Sequence, residues 1–222
     1  MSKLLALILG LGTLTLTSEG HAEGKPPTAF APAAQEGDIL STFGIHVSAG
    51  FAGGGDSLLT VPYTDGTSSS LDAGTGVMIG GGVTWTPLWF TDRLGLGFGF
   101  DVGYKIGFTN QNANGSFNFE RIPLVLSARG LFAIAGNYHF LLAGGPVAEL
   151  GGHIYGDGIV TGVQGDVSDA FGGMVEAGIL FGAPLSLGAE ITGRFTALDF
   201  QAAGQSYSGM NGSVNFLLHF FL

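Results

Sequence analysis

His46 and Ser48, in the stretch HVS, set an imidazole and a hydroxyl on one face of an extended chain, the pair that nucleophilic catalysis starts from. That chemistry also needs a third group to orient the base, and no acid near them in the sequence supplies it. A second set consists of Asp56, Asp65 and Asp72 with YGDG (155–158) and GDVSD (165–169). These are oxygen ligands of the kind calcium takes, but the spacing of a calcium loop is missing, and they read as solvated acidic loops. The glycine run MIGGGV (78–83) has neither a following helix nor a lysine placed to cradle a phosphate. The largest set is Asp101, Lys105, Arg121, Arg129, Glu149, Glu176, Glu190 and Arg194, four acids and four bases. All eight sit on the same parity of alternating segments, and buried charge is tolerated only when it is paired. They are expected to form a compensated ion-pair network, with His46, His139 and His219 as further members and Glu176 diagonally near Arg194. No catalytic, cofactor or metal site is assigned.

The elements that carry these residues alternate strictly. In LGLGFGFDVGYKIGF (94–108) the apolar residues hold every second position, while the other parity is glycine with Asp101 and Lys105. Strand side chains point alternately to opposite faces, so this stretch has one apolar face and one face that is small and charge-compensated. A soluble sandwich strand is usually about five or six residues and carries polar groups, not glycine, on its outer face. A transmembrane barrel reverses the arrangement, with apolar residues toward lipid and small or paired residues toward a narrow lumen.

The whole chain agrees with the barrel. It has 222 residues, 41 Gly, no Cys and 11% charged residues, with a mean hydropathy of +0.42. Soluble domains carry about 25% charge. After residue 22 no apolar run is long enough for a transmembrane helix, which needs about 18 residues or more. The first 22 residues, MSKLLALILGLGTLTLTSEGHA, have Lys3, an apolar core from Leu4 to Leu16, and Gly20 and Ala22 at a cleavage site, so a signal peptide over 1–22 is expected. The absence of Cys excludes a lipid-anchored lipoprotein, a disulfide framework and Cys-based metal or nucleophile chemistry. A net charge of −10 offers no basic patch to nucleic acid and favours cations and basic partners.

Residues 23–37 read as a Pro- and Ala-rich periplasmic lead-in, and 38–222 as the barrel. Eight alternating segments are expected near 38–53, 73–86, 94–108, 117–132, 138–152, 169–182, 186–199 and 209–222. Short connections (PLWFTDR, AIAGN, APL) alternate with long polar ones, the pattern of an up-and-down barrel with periplasmic turns at one end and extracellular loops at the other. The fold class expected is all-β, an eight-stranded antiparallel up-and-down transmembrane β-barrel. Interfacial aromatic girdles are expected from Trp85, Trp89, Phe90, Tyr138, Phe140 and Phe220 at the periplasmic end, and from Phe51, Phe108, Phe119, Phe171 and Phe200 at the outer end.

FERIPLVLSARGLF (119–132), FLLAGGPVAELG (140–151) and the aromatic final strand GSVNFLLHFF resemble the small porin-like outer-membrane β-barrel family of Gram-negative bacteria. The resemblance covers about 37–222. It implies residence in the outer membrane, contact with lipopolysaccharide and phospholipid, and insertion by the barrel-assembly machinery. It transfers no catalytic residue. Two departures stand out: the chain ends in Leu222 where such proteins usually end in Phe, and Pro123 and Pro146 fall inside strands, where bulges are expected because proline cannot donate to the ladder. The His46/Ser48 spacing also occurs in barrel lipases such as lipid A deacylases. The function expected is structural or surface-interacting, with the lumen closed by the ion-pair network; the alternative is a narrow channel for ions or small solutes.

Overall fold

A strand surrounded by lipid needs a partner on each edge, and eight strands of this chain supply one another. The computed structural model describes residues 42–62, 66–91, 93–109, 115–182 and 187–222. The expected signal peptide, the lead-in and Asp65 lie outside the described residues. In chain order the elements are β1 (Thr42–Gly54), β2 (Ser57–Pro62), β3 (Ser68–Asp72), β4 (Gly76–Thr91), β5 (Leu94–Phe108), β6 (Ser116–Ala135) and β7 (Tyr138–Asp157). A short 3-10 turn (Gly158–Val160) follows, then β8 (Gln164–Val167), β9 (Ala170–Phe181), β10 (Leu187–Ala202), β11 (Gln205–Ser208) and β12 (Asn211–Phe221). The antiparallel ring runs β1, β4, β5, β6, β7, β9, β10, β12 and closes where β12 pairs β1, with Ile45 opposite Phe220. Among the described residues the ring of eight leaves no open edge, which is how antiparallel sheets are made compatible with lipid.

The outer parity is apolar around the ring. Leu96, Phe98, Phe100 and Val102 on β5 are 43–55% exposed, while Gly95, Gly97 and Gly99 between them are buried. The same sorting holds on β10, where Ile191 and Phe195 face out and Glu190, Thr192 and Arg194 are buried. A Lys or Arg moved to the lipid face would cost about 2–4 kcal/mol at mid-membrane.

The connections differ from their expected form. The long ones at the extracellular end are largely strand: β2 and β3 make a hairpin, β8 extends β7, and β11 folds back on β10. PLWF (87–90), expected in a periplasmic turn, belongs to β4, and HIYGD (153–157), expected in an outer loop, belongs to β7. These residues lack clean alternation, so periodicity did not mark them, but pairing with a neighbour satisfies their amides.

The expected bulges at Pro123 and Pro146 are absent. Pairing of β6 with β5 lapses beside Pro123 and pairing of β6 with β7 lapses beside Pro146, but the register on either side of each lapse is unchanged. Bulges occur instead where a residue is added to one strand. Between β6 and β7 the register shifts from Glu120 opposite His153 to Ile122 opposite Leu150, beside Gly151 with φ +63°. Between β4 and β5 it shifts from Trp85 opposite Phe98 to Leu88 opposite Leu96, at Pro87. The extra residue reverses the parity of Leu88 and Trp89, up to a second shift between Trp89 and Thr91. Trp89, expected in the lipid-facing girdle, therefore turns into the barrel mouth and meets His139 edge-on at 6.1 Å. Gly95 gives it room: a Cβ there would stand 3.0 Å from the indole, which would have to shift by a few tenths of an ångström.

Deletion of Pro87 takes out the extra residue and is expected to close the ladder with Leu88 still opposite Leu96 and Trp89 still opposite Gly95, in the mouth. In a Trp85→Phe background, brominated lipids should quench Trp89 fluorescence weakly in the deletion variant and its parent alike; strong quenching in the deletion variant would refute Pro87 as the extra residue.

Candidate functional site

The eight candidate residues all point into the lumen, and the structure brings them together as two groups. The outer group joins β5, β6 and β7. Lys105 Nζ donates to Glu149 Oε1 at 3.1 Å, Arg121 Nε pairs with Glu149 Oε2, and Arg121 Nη2 donates to the Thr75 carbonyl at 2.9 Å. Two cations thus share one carboxylate.

The inner group is a chain of contacts. Arg194 Nε donates to Glu176 Oε2 at 2.5 Å and Arg194 Nη2 to Asp101 Oδ2 at 3.2 Å. Asp101 Oδ1 meets His46 Nε2 at 2.7 Å, and the His46 ring lies 4.9 Å from that of His219. His219 Nε2 is 3.1 Å from Glu190 Oε2, which accepts from Arg129 Nη2 at 2.5 Å. Here three carboxylates face two guanidiniums. Glu176 lies directly opposite Arg194 in the β9–β10 ladder, not diagonally as expected, because the two strands pair without a shift from Ala189 opposite Phe181 to Leu198 opposite Gly172.

Glycine makes the inner group possible. A Cβ on Gly82 would stand 2.9 Å from both Asp101 Oδ1 and His46 Cε1 and 2.1 Å from the Phe100 carbonyl. His139 joins neither group and lies at the periplasmic mouth beside Trp89. Asp101 is the acid that sequence reasoning did not find for His46. It engages Nε2, while His46 Nδ1 has no hydrogen-bond partner, so the Ser48 hydroxyl is not held by the imidazole. The loop acids serve turns and pairs: Asp56 accepts from Ser208 N, Asp157 from Gly158 N and Asp169 from Gly151 N, while Asp166 pairs with His153.

Sequence reasoning missed an apolar cluster at the outer end of the lumen. Phe119 and Phe200, expected in the outer girdle, are fully buried there and meet edge-to-face at 5.5 Å. Leu71, Phe117, Val147, Val167 and Leu198 pack with them, and Leu58, Leu59 and Val61 of the β2–β3 hairpin cover the cluster. The Arg121 guanidinium lies 4.2 Å from the Phe119 ring centre, which ties the cluster to the outer charge group. Parity held the missing signal, since Phe119 shares it with Arg121 and Phe200 shares it with Arg194. The remaining girdle residues, among them Trp85, Phe90, Tyr138, Phe51, Phe108 and Phe171, do face outward.

No family model and no curated protein matches the chain. Among solved structures, the outer membrane protein OprG from Pseudomonas aeruginosa aligns at 11% identity over 84% of this chain and 98% of its own, with a TM-score of 0.50. The chain has the fold of the outer-membrane β-barrels. Neisserial surface protein A aligns at 14% identity over 80% of this chain and 96% of its own, with a TM-score of 0.49. Ail of Yersinia pestis aligns at 11% identity over 81% and 97%, with a TM-score of 0.41. An outer-membrane barrel needs both the closed ring and the apolar belt described above, and this barrel has both.

Arg194 bonds two of the inner carboxylates, so Arg194→Ala leaves Glu176 buried, and Asp101 part-buried, without a guanidinium. Removing one member of a buried pair costs about 3–5 kcal/mol. Urea unfolding in lipid vesicles should show a loss of that order for Arg194→Ala and a smaller loss for Glu176→Ala with Arg194→Ala.

Proposed function

We propose that this outer-membrane barrel is a structural and surface-presenting protein whose lumen is closed, not a pore. The observation that carries the reading is the apolar cluster of Leu71, Phe119 and Phe200 stacked over the two lumen charge groups. An ion would have to displace paired charges and then cross a packed apolar layer that offers it no hydrogen bonds. The mid-lumen cavities beside Arg194 amount to about 20 Å³ each, room for single waters. What the barrel presents is the set of paired extensions at its extracellular end, β2 with β3, β8 on β7 and β11 on β10. Its partners in this reading are the outer-membrane lipids, lipopolysaccharide included, that coat the belt, and the insertion machinery that reads the aromatic strand β12.

Single-channel recording of the refolded protein in planar bilayers tests this. The wild type should be silent. Phe119→Ala with Phe200→Ala, combined with Glu176→Ala and Arg194→Ala, should open discrete conductance. Steady wild-type conductance would overturn the closed-lumen reading in favour of a narrow channel.

A further inference from the structure

We propose that the periplasmic mouth of the barrel is a binding site for a small primary ammonium compound with an apolar body. A cavity of about 80 Å³ lies there among the last inward-facing residues of the ring. A single water occupies about 10–15 Å³ on this measure, so the space suits several waters or one small organic molecule. Trp89, Leu131, Leu180 and Phe221 form its walls, and His219 stands at its base. Trp89 is there only because of the Pro87 bulge, and Gly95 leaves the space its indole occupies. Thr42, Thr84 and Thr86 also line the cavity, and their hydroxyls can either donate or accept.

The base of the cavity sets the polarity of the ligand. His219 is 1% exposed, and its Nε2 lies 3.1 Å from Glu190 Oε2, off the line of a hydrogen bond but near enough for the carboxylate's charge to hold the proton of a neutral imidazole on that nitrogen. His219 Nδ1 is then a buried lone pair, and it has no partner. His139 Nδ1, on the same cavity, is also buried without one. Arg129 is the cavity's guanidinium, and it is engaged by Glu190. The site therefore calls for a ligand that donates.

Charge selects which donor. The inner group directly beneath the cavity has three carboxylates against two guanidiniums, while the excess of positive charge sits farther out, around Glu149. A cation at the mouth is attracted and an anion is repelled. The faces of Trp89 and Phe221 suit an ammonium group and its apolar body alike. A quaternary ammonium has no N–H for the His219 lone pair, so the specificity is for the primary amine.

The Trp85→Phe variant leaves Trp89 as the single indole of the refolded protein, and its emission reports on the cavity. Benzylammonium should produce a saturable change, with benzyl alcohol, benzoate and benzyltrimethylammonium at least tenfold weaker. Leu180→Phe, and independently Leu131→Phe, should fill the cavity and abolish the response. Glu176→Gln, or Asp101→Asn if that variant does not fold, removes one negative charge without lining the cavity and should weaken benzylammonium about tenfold, the order expected for one unit charge through protein. A response to benzyl alcohol or benzoate as strong as to benzylammonium, no saturable response, or a response that survives both filling variants would overturn the proposal.

Discussion

Inside the hydrocarbon layer no water reaches a peptide group, so each amide must find its partner in the protein. The closed ring of ladders answers that requirement, and nearly everything else in this chain follows from it. Once the backbone is satisfied by neighbours, the side chains have only two directions to take. The outward set becomes uniformly apolar. The inward set must fit a space just wide enough for side chains, which explains both the glycines and the enclosure of charge.

Within that narrow space the chain uses two kinds of filling. Toward the periplasm and the membrane centre, carboxylates and guanidiniums occupy one another, and the short glycine runs give them room. Toward the outside, aromatic and aliphatic groups from the strands and the β2–β3 hairpin form a core of the ordinary soluble type. Arg121 belongs to both, with its charge on Glu149 and its face on Phe119. The two fillings are continuous, so the hairpin over the outer mouth is anchored through the same residues that neutralise the lumen.

The sequence was legible wherever side-chain parity alone decides the outcome. Strand number, the closed barrel, the inward turn of all eight charged residues and the lumen glycines rest on period two. What was not legible depends on register and on single inserted residues. Nothing in the alternation around Glu176 and Arg194 says that they stand directly opposite, since a different register between β9 and β10 would have offset them. Trp89 keeps the spacing of a lipid-facing residue and is reversed by the extra residue at Pro87. Pro123 and Pro146 show the opposite case, where a residue that cannot donate leaves a lapse in the ladder without displacing it. Phe119 and Phe200 were legible by parity, but their size suggested an interfacial girdle, a role that belongs to the outward face.

The length of β6 and β7 gives the barrel a mechanical character. Each has 20 residues, and they stay paired from Ala135 with Tyr138 to Ser116 with Asp157. At about 3.3 Å per residue such strands are about 66 Å long. Tilted by about 40°, they rise about 50 Å along the axis, twice the apolar band of about 25 Å. The excess stands clear of the hydrocarbon as hydrogen-bonded ribbon. A load applied at its tip is carried by ladders in shear straight into the wall of the barrel, so the outer surface of this protein is a stiff mast stepped in the membrane.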